Sequence, residues 1–455
     1  MRGQAGGNPV RQTQNYQPLR WFFSDSRGWI SLLLLALALP FNAALAQEAG
    51  QIVSALGTVE VLREKRWQAL ATGATVAAGE TVRTGEGSRA AIQLSNGSQI
   101  KINANSRLEF KQIAPPVEDG FLSATTQALQ NLLRILSGEV WVRSGGEPLE
   151  IETVYATATV RGTEFNLAIE PQNAARLTVL TGLIEFRNPQ GSVLVAANEQ
   201  ATAQLGEAPR KTVLINPLDA VQWSLYYPDP ISSPEAGDPR RNQIQAAQRD
   251  LQQGQVNAAR QAIDQALALD PNDADAYSLR SAIALVQNQK TEALADAQRA
   301  VAANPASASA YLSLSLAHQA GFDLNAALVA AQKAVELEPN NPRALVQESS
   351  LLFGMGRRRE ATQVAEQARQ RAPNDAMVNT VWGFLELARN RIDSAHEAFQ
   401  TAIAQDSTIG LPHVGLGLAL FRRNQTEAAV DEIRKATLLE PQVSLYSSYL
   451  GKAFY

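Results

Sequence analysis

The stretch Ala327-Leu-Val-Ala-Ala-Gln-Lys-Ala-Val-Glu-Leu-Glu-Pro339 decides the fold of the second half of the chain, because its alanines and its proline recur every 34 residues. Two alanine positions repeat without exception: Ala259, Ala293, Ala327, Ala361, Ala395 and Ala429, then Ala266, Ala300, Ala334, Ala368, Ala402 and Ala436. The proline position holds Pro271, Pro305, Pro339, Pro373 and Pro441, with Ser407 once in its place. A fixed period of this kind indicates a solenoid of stacked helical repeats.

Each repeat is predicted to be a pair of helices, for example residues 275–287 and 290–303. The two alanines of a repeat lie seven residues apart on one face of the second helix, where a methyl group lets neighbouring helices approach closely. Each proline follows the last turn of that helix and ends it. A single repeat cannot bury its apolar face, so the six repeats at residues 240–441 are expected to be stable only as a stack.

On these positions, residues 240–455 resemble the tetratricopeptide repeat family. The family's large and small first-helix residues are matched in part, by Tyr277, Tyr311, Trp382, Gly383, Leu416 and Gly417. Arg280 and Asn379 depart from that pattern. The resemblance implies a solenoid whose concave groove receives a protein partner.

The resemblance also implies which residues line the groove, namely positions 2, 5, 9 and 12 of each first helix. Here few charges beyond Arg343 interrupt that stripe, and its apolar residues are Leu312, Leu316, Val346, Phe353, Met377, Phe384, Leu387, Leu411, Val414, Leu418 and Phe421. The lysine, asparagine and arginine set with which family members grip a peptide carboxylate is missing. We therefore expect the groove to receive an apolar strand or an amphipathic helix of a partner. The alternative is that part of the stripe packs between repeats.

Residues 442–455 are predicted to start a seventh, incomplete repeat, because Leu450, Gly451 and Phe454 keep the register of a first helix. No second helix follows, and an uncapped solenoid exposes an apolar face. We expect either that the chain continues in a longer protein or that a partner or a second copy covers this face.

Residues 47–217 follow a different period, in which apolar residues alternate with polar ones in short runs broken by glycine. This pattern predicts an all-β domain. Asn96-Gly97 and Gln190-Gly191 each separate two such runs and predict hairpins. Helix-spaced leucines within residues 121–136 predict one short helix packed on the domain: Leu122, Leu129, Leu132, Leu133 and Leu136.

Within this region, several short motifs stand out: Gly57-Thr-Val59, Ala78-Gly-Glu80, Val82-Arg-Thr-Gly85, Ala90-Ala-Ile-Gln-Leu-Ser-Asn-Gly-Ser98, Thr159-Val-Arg-Gly-Thr-Glu-Phe165 and Thr181-Gly-Leu-Ile-Glu-Phe186. Together they resemble the FecR-type periplasmic domain of iron-dicitrate sensor regulators, over about residues 51–204. The most specific positions are Val160, Arg161, Gly162, Thr163 and Phe165. The resemblance implies an envelope-located domain that senses or docks onto another protein. Gly162 is also consistent with a tight strand corner.

The regulators of that family carry a cytoplasmic anti-sigma domain before one membrane span. Here only residues 1–28 precede the first apolar stretch, which is too short for a folded core. The sequence therefore does not predict control of a sigma factor.

Residues 1–46 combine four arginines, the apolar run Trp29-Ile-Ser-Leu-Leu-Leu-Leu-Ala-Leu-Ala-Leu-Pro40 and the site Ala44-Leu-Ala46. This combination predicts a cleaved export signal and a periplasmic location. The alternative is an uncleaved inner-membrane anchor, since residues 29–46 are long enough to span a bilayer. Cleavage would change the net charge from −4 to about −7, because residues 1–46 carry four arginines and one aspartate. That balance does not favour nucleic acid as a partner.

Residues 218–239 are predicted to be an aromatic helix followed by a proline-rich linker. Its aromatic residues Trp223, Tyr226 and Tyr227 could form a ligand box or could dock the segment onto the β domain or the first repeat.

No residue pattern points to catalysis. The chain has no cysteine, and its three histidines, His318, His396 and His413, lie in different repeats without metal-ligand spacing. No nucleophile elbow, phosphate-binding loop or dinucleotide fingerprint is present, so the sequence predicts no enzyme, no cofactor and no metal. The whole chain is interpreted as an exported, multidomain envelope scaffold that binds proteins through its solenoid. The alternative is a membrane-anchored FecR-like signalling regulator.

Overall fold

The computed structural model describes residues 48–113, 131–213, 217–225, 227 and 239–453. In these residues, eighteen strands are followed by a 3₁₀ helix and thirteen α-helices, as the sequence predicts for a β domain followed by a solenoid. The predicted export signal or anchor at residues 1–46 lies outside the described residues. None of the helices in the described part of the chain combines the length and the apolar character that a membrane crossing requires.

The first nine strands are β1 (Glu48–Leu56), β2 (Val59–Arg63), β3 (Arg66–Ala69), β4 (Thr75–Ala77), β5 (Thr81–Thr84), β6 (Arg89–Leu94), β7 (Gln99–Ile102), β8 (Arg107–Gln112) and β9 (Asn131–Ser137). The other nine are β10 (Glu139–Arg143), β11 (Leu149–Glu152), β12 (Thr157–Val160), β13 (Glu164–Glu170), β14 (Ala174–Thr181), β15 (Leu183–Asn188), β16 (Gly191–Ala196), β17 (Glu199–Gln204) and β18 (Arg210–Val213).

These strands form two nine-stranded sheets. The strand order of the first sheet is β18-β17-β14-β13-β10-β7-β6-β1-β4, and that of the second is β16-β15-β12-β11-β9-β8-β5-β2-β3. One hydrophobic core joins them, with Ile100 and Ile102 from the first sheet and Leu108 and Phe110 from the second, all fully buried. The period of two in the sequence thus places every second side chain between the sheets.

Both predicted hairpins are confirmed. Strands β6 and β7 pair in antiparallel fashion around Asn96-Gly97, where Gly97 has a φ of 82° and the Asn96 side chain accepts the Ser98 N–H. A positive φ at this turn explains the glycine. Strands β15 and β16 pair as far as Asn188 and Gly191, on either side of the second turn.

The helix predicted for residues 121–136 is wrong over residues 131–136, which belong to strand β9. Strand β9 pairs with β8 in antiparallel and with β11 in parallel orientation. A leucine-rich run satisfies the helical period and the strand period together, and here Leu133 and Ile135 enter the core while Leu136 stays exposed. The two neighbouring strands β8 and β11 satisfy the backbone hydrogen bonds of this segment, and this pairing favours a strand over a helix. Residues 121–130 lie outside the described residues.

The solenoid begins after a 3₁₀ helix (Pro217–Ser224). Its helices are α1 (Pro239–Gln252), α2 (Val256–Leu269), α3 (Ala274–Val286), α4 (Lys290–Ala303), α5 (Ala308–Ala320), α6 (Leu324–Leu337), α7 (Pro342–Gly354), α8 (Arg358–Arg371), α9 (Ala376–Ala388), α10 (Ile392–Gln405), α11 (Leu411–Arg422), α12 (Thr426–Leu439) and α13 (Ser444–Ala453). Helices α1 to α12 form six pairs, and α13 is the first helix of the predicted seventh repeat.

The repeated alanines have the packing role that their spacing predicts. All twelve are at most 1% exposed. A second repeating contact holds the two helices of a repeat together: the Oγ atoms of Ser281, Ser315 and Ser349 each donate a 2.8 Å hydrogen bond to the carbonyl of the first repeated alanine. The connection inside each repeat places one residue at positive φ, again at 34-residue spacing: Gly254, Asn288, Phe322, Gly356, Asn390 and Asn424. This left-handed residue ends the first helix.

Candidate functional site

The predicted groove residues divide into two sets along the first helices of the repeats. Leu312, Leu316, Val346 and Met377, on helices α5, α7 and α9, line a cavity of about 710 Å³ whose other wall is the β domain. We call this space the interdomain cavity. Leu312 and Val346 are at most 9% exposed, while Leu316 and Met377 are half-buried. This part of the groove therefore faces the protein's own sheet.

The second set comes from the C-terminal halves of the first helices and does not line the interdomain cavity. It consists of half-buried apolar residues, which we call the outer stripe: Phe353, Phe384, Leu387, Leu418 and Phe421. Each of them also packs on an inter-repeat cluster, as Phe384 does edge-on against Phe399 with 4.9 Å between ring centroids. Partner binding and inter-repeat packing are thus both compatible with their positions.

The two remaining groove residues lie where α13, the first helix of the seventh repeat, packs on the sixth repeat. Val414 is 1% exposed and Leu411 is half-buried, and both contact the cluster that contains Tyr446 of α13. Inter-repeat packing thus accounts for the burial of Val414. The first helix of the seventh repeat completes this contact, as it would in a longer array.

The last complete repeat is docked on the first sheet of the β domain. The Gln99 side chain donates to the carbonyl of Arg434 at 2.9 Å, and Lys101 Nζ donates to the carbonyl of Leu439 at 2.8 Å. Ser407 Oγ bonds to Ser54 Oγ at 3.2 Å. Because Gln99 and Lys101 alternate with core residues on β7, the sheet buries one face in its own core and the other under α12.

The first repeat touches the same sheet at the opposite end of the solenoid. Arg89 on β6 donates to the carbonyl of Trp223 at 2.8 Å and also to the carbonyl of Gln252 at the end of α1. A Cβ atom on Gly254 would lie 2.6 Å from the Trp223 carbonyl oxygen, so the chain passes here without room for a side chain. The solenoid thus contacts the β domain at both ends, and the interdomain cavity lies between these contacts.

The aromatic residues before the solenoid dock this segment onto the rest of the protein, and Trp223 and Tyr227 also line the interdomain cavity. Trp223 is 7% exposed and packs with Val221, Trp141 of β10 and Leu438 of α12 in one cluster. Tyr227 is buried in the cluster of the first repeat. The segment therefore contacts the β domain, the first repeat and the last repeat. Tyr226 lies outside the described residues.

Lys101 has a strongly perturbed electrostatic environment at this interface. Its side chain is buried, and Nζ donates only to backbone carbonyls, those of Ser224 and Leu439. Burial, with the nearby Arg89 guanidinium, lowers the pKa of Lys101 to about 7. Burial also lowers the pKa of Arg89. In the described part of the chain, neither cation makes an ion pair with a carboxylate.

The FecR-like motif forms the corner at which the chain passes from the second sheet to the first. Val160 ends β12 and Phe165 lies in β13, both in the common core. Gly162 has a φ of 61° and is exposed, which explains why glycine stands there.

The other two residues of the motif hold this corner by hydrogen bonds. Thr163 is buried, and its N–H donates to Ser144 Oγ at 2.9 Å. Arg161 is exposed, with Nε donating to the Gly146 carbonyl. The motif thus has a structural role in the turn.

The two positions that depart from the repeat pattern have local partners. Arg280 makes two 2.8 Å hydrogen bonds to the carboxylate of Asp296, which is 9% exposed, across the two helices of the second repeat. Asn379 donates to the carbonyl of Pro373 at 2.8 Å and to Gln405 Oε1 at 2.9 Å. Polar pairing replaces apolar packing at both positions.

The three histidines lie apart in the structure. His413 is buried, and its Nδ1 lies 2.6 Å from Glu432 Oε2, whereas His318 and His396 are half-buried. Across the described ranges, no group of three or more histidines, aspartates or glutamates is arranged to hold a metal ion.

Sequence reasoning missed the residues of the domain interface, above all Arg89, Gln99 and Lys101. The alternation in β7 predicts that Gln99 and Lys101 point away from the core, but not that another domain covers them. One signal was available in β10, where Val140, Trp141 and Val142 are apolar on both faces of the strand. Strands of that kind are typical of sheets covered on both sides.

Two families match this chain. The profile of the FecR protein family matches residues 80–185, and that of the tetratricopeptide repeat matches residues 244–308 and 380–442. No curated protein matches the sequence significantly. The chain therefore contains a FecR domain followed by tetratricopeptide repeats. These are folds of interaction and regulation, and tetratricopeptide repeat proteins bind peptide and protein partners.

Several solved structures share parts of the architecture. A protein of Parabacteroides distasonis ATCC 8503 described as an anti-sigma factor is 20% identical, with 33% of this chain and 68% of that chain covered and a TM-score of 0.26. PilF of Pseudomonas aeruginosa is 16% identical, with 47% and 97% covered and a TM-score of 0.36. YrrB, a tetratricopeptide repeat protein with an unusual peptide-binding site, is 19% identical, with 41% and 97% covered and a TM-score of 0.28.

Proposed function

We propose that this protein is an exported, non-enzymatic scaffold of the cell envelope that binds another protein through the outer stripe of its solenoid. The observation that carries the proposal is the division of the groove. Four of the predicted groove residues face the β domain across the interdomain cavity, while five half-buried apolar residues on successive repeats lie beyond that cavity. Apolar side chains at i and i+3 or i+4 spacing, as in Phe384 with Leu387 and Leu418 with Phe421, suit the apolar face of an amphipathic helix.

The FecR domain holds the solenoid in a fixed orientation in this proposal. The contacts of Arg89 with the first repeat and of Lys101 with the last repeat brace the arc of repeats against a rigid sheet. A braced groove loses little conformational freedom when it binds, which favours affinity. The same domain would sense or dock onto a second envelope component through its uncovered surface.

Site-specific photo-cross-linking in living cells tests the binding surface. Phe421 on α11 is replaced by a benzoyl-phenylalanine analogue, and the matched control carries the same analogue at Val329 on α6, which is 68% exposed. We expect one discrete adduct at position 421 and none at position 329. Equal labelling at both positions, or no adduct at position 421, would contradict a partner on the outer stripe.

The location is tested by N-terminal sequencing of the native protein from fractionated cells. A mature chain that starts at Gln47 in the soluble envelope fraction is the expected result. A chain that starts at Met1 in the membrane fraction would instead favour the membrane-anchored FecR-like regulator.

A further inference from the structure

The interdomain cavity has the size of a pocket for a small organic molecule. It encloses about 710 Å³ between the first sheet of the β domain and helices α5, α7 and α9. Pockets of a few hundred to a thousand Å³ typically take ligands of this class. Its two walls differ in chemistry, and this difference indicates what kind of molecule fits.

The wall formed by the β domain is cationic. Ala91 on β6 pairs with Lys101 on β7, and Arg89 lies two residues before Ala91 on the same face, so the two cations are neighbours. Both line the cavity. The Glu440 carboxylate acts on Lys101 only at longer range, because its oxygens accept from Gly410 N at 2.7 Å and Tyr446 OH at 3.3 Å. Two adjacent cations without a paired carboxylate favour an added anion.

Two polar groups of the 3₁₀ helix, which also lines the cavity, lack partners. Trp223 Nε1 and Ser224 Oγ are shielded from water, and neither has a hydrogen-bond partner in the described structure. Their side chains are 7% and 6% exposed, and both residues line the cavity. A buried donor without an acceptor costs stability. A ligand oxygen reached by a small rotation of these side chains would remove that cost.

The opposite wall carries the apolar side chains of Leu312, Leu316, Val346 and Met377, and α7 adds Arg343 and Gln347 to it. Asp375 and Asp406 also line the cavity, but their carboxylates are engaged by the backbone N–H groups of Val378 and Thr408. Arg89 and Lys101 thus come from the β domain, Trp223 and Ser224 from the 3₁₀ helix, and the extended apolar surface from the solenoid.

We infer that the interdomain cavity binds an amphiphile, an aliphatic chain with a single anionic headgroup, with the headgroup at Arg89 and Lys101 and the chain along Leu312, Leu316, Val346 and Met377. The site is separate from the outer stripe, so it does not depend on the proposed protein partner. A carboxylate or a phosphate would serve as the headgroup.

The test is isothermal titration calorimetry of the purified protein with dodecanoate, below its critical micelle concentration. We expect one saturable site, at least about tenfold weaker binding of dodecanol, and no saturable binding of dodecyltrimethylammonium. Dodecyl phosphate separates the two headgroup sources: a preference for it supports a phospholipid-like ligand, and a preference for dodecanoate supports a fatty acid. No binding of either anion, or equal binding of the cationic amphiphile, would overturn the proposal.

Two pairs of variants locate the site. Lys101→Met should weaken dodecanoate binding about tenfold or more, whereas Lys65→Met, at an exposed position of the same domain, should leave it unchanged. Met377→Glu should weaken binding through the apolar wall, whereas Val329→Glu on the surface of α6 should not. Since Lys101→Met also changes the domain interface, Met377→Glu provides the independent result. Unchanged affinity in Met377→Glu would overturn the assignment of the apolar wall.

Discussion

Lys101 Nζ lies 2.8 Å from the carbonyl oxygen of Leu439, so a buried ammonium of the β domain binds the last residue of helix α12. The same nitrogen donates to the carbonyl of Ser224. Carbonyl oxygens satisfy the hydrogen bonds of an ammonium, but they do not neutralise its charge. The contact therefore links the two domains in a way that depends on the protonation of one lysine.

The first prediction follows from that lysine. In the folded protein its pKa is lowered to about 7 from 10.5. Below pH 7 both the folded and the unfolded state carry the proton, and the folded state bears the cost of the buried charge. As the pH rises above 7, the folded state releases the proton first, so the free energy of unfolding should rise by roughly 1–3 kcal/mol up to about pH 9.5. Urea denaturation across this range measures the rise.

Lys101→Met provides the control for this pH dependence, because methionine has an unbranched side chain only one atom shorter than lysine and cannot titrate. The variant should show a flat free energy of unfolding over the same range. If the wild type and Lys101→Met rise in parallel, the pH dependence has another origin.

The second prediction concerns Trp223, which packs between Trp141 of the sheet and Leu438 of the last repeat. Trp223→Ala should lower the free energy of unfolding by about 3–5 kcal/mol, since it removes a large buried side chain. Hydrogen–deuterium exchange should show a loss of protection first in β6, β7 and α12, where the domains meet. Trp67→Ala, in the edge strand β3, is the control and should leave the protection of α12 unchanged.

The sequence predicts the local elements well and the contact between the domains poorly, for a physical reason. The repeated alanines, the hairpin at Asn96-Gly97 and the corner at Gly162 each depend on local geometry that one residue type satisfies. Gln99 and Lys101, by contrast, are covered by residues more than 330 positions away in the sequence, such as Arg434 and Leu439. Similarly, the leucines of β9 fit both periods, and only the pairing with β8 and β11 decides between them.

The third prediction uses the left-handed residue that ends the first helix of each repeat. Phe322 occupies this position with a φ of 63° and is 83% exposed, whereas three other repeats have asparagine there. Phe322→Asn should relieve about 1–2 kcal/mol of backbone strain. It also loses the Lys290 contact 5.1 Å from the ring centroid, worth about 0.5 kcal/mol. Thermal unfolding should therefore show a net stabilisation.

Asn390→Phe is the reciprocal control, because Asn390 has a φ of 62° at the equivalent position. It should destabilise the protein. A stabilising Asn390→Phe would show that the left-handed conformation is not the source of the effect.

The fourth prediction tests the close packing at the repeated alanines. Ala300 is fully buried in α4, whereas Ala302 in the same helix is exposed. Ala300→Leu should destabilise the solenoid by about 1–3 kcal/mol or more, because the added atoms force neighbouring helices apart. Ala302→Leu should change stability by no more than about 0.5 kcal/mol. Equal effects of the two variants in urea denaturation would contradict the packing role.

The last prediction concerns Gly383 on α9 and Phe399 on α10. A Cβ atom at position 383 would lie 2.6 Å from Phe399 Cε1, so Gly383→Ala should cost about 1–3 kcal/mol of stability. Gly354→Ala at the end of α7 meets no neighbour within 4 Å and should stabilise by up to about 1 kcal/mol through helix propensity. Phe399→Leu makes room for the added methyl group, so the double variant should be more stable than the sum of the single changes implies. Strict additivity in a double-mutant cycle would show that the ring does not require the glycine.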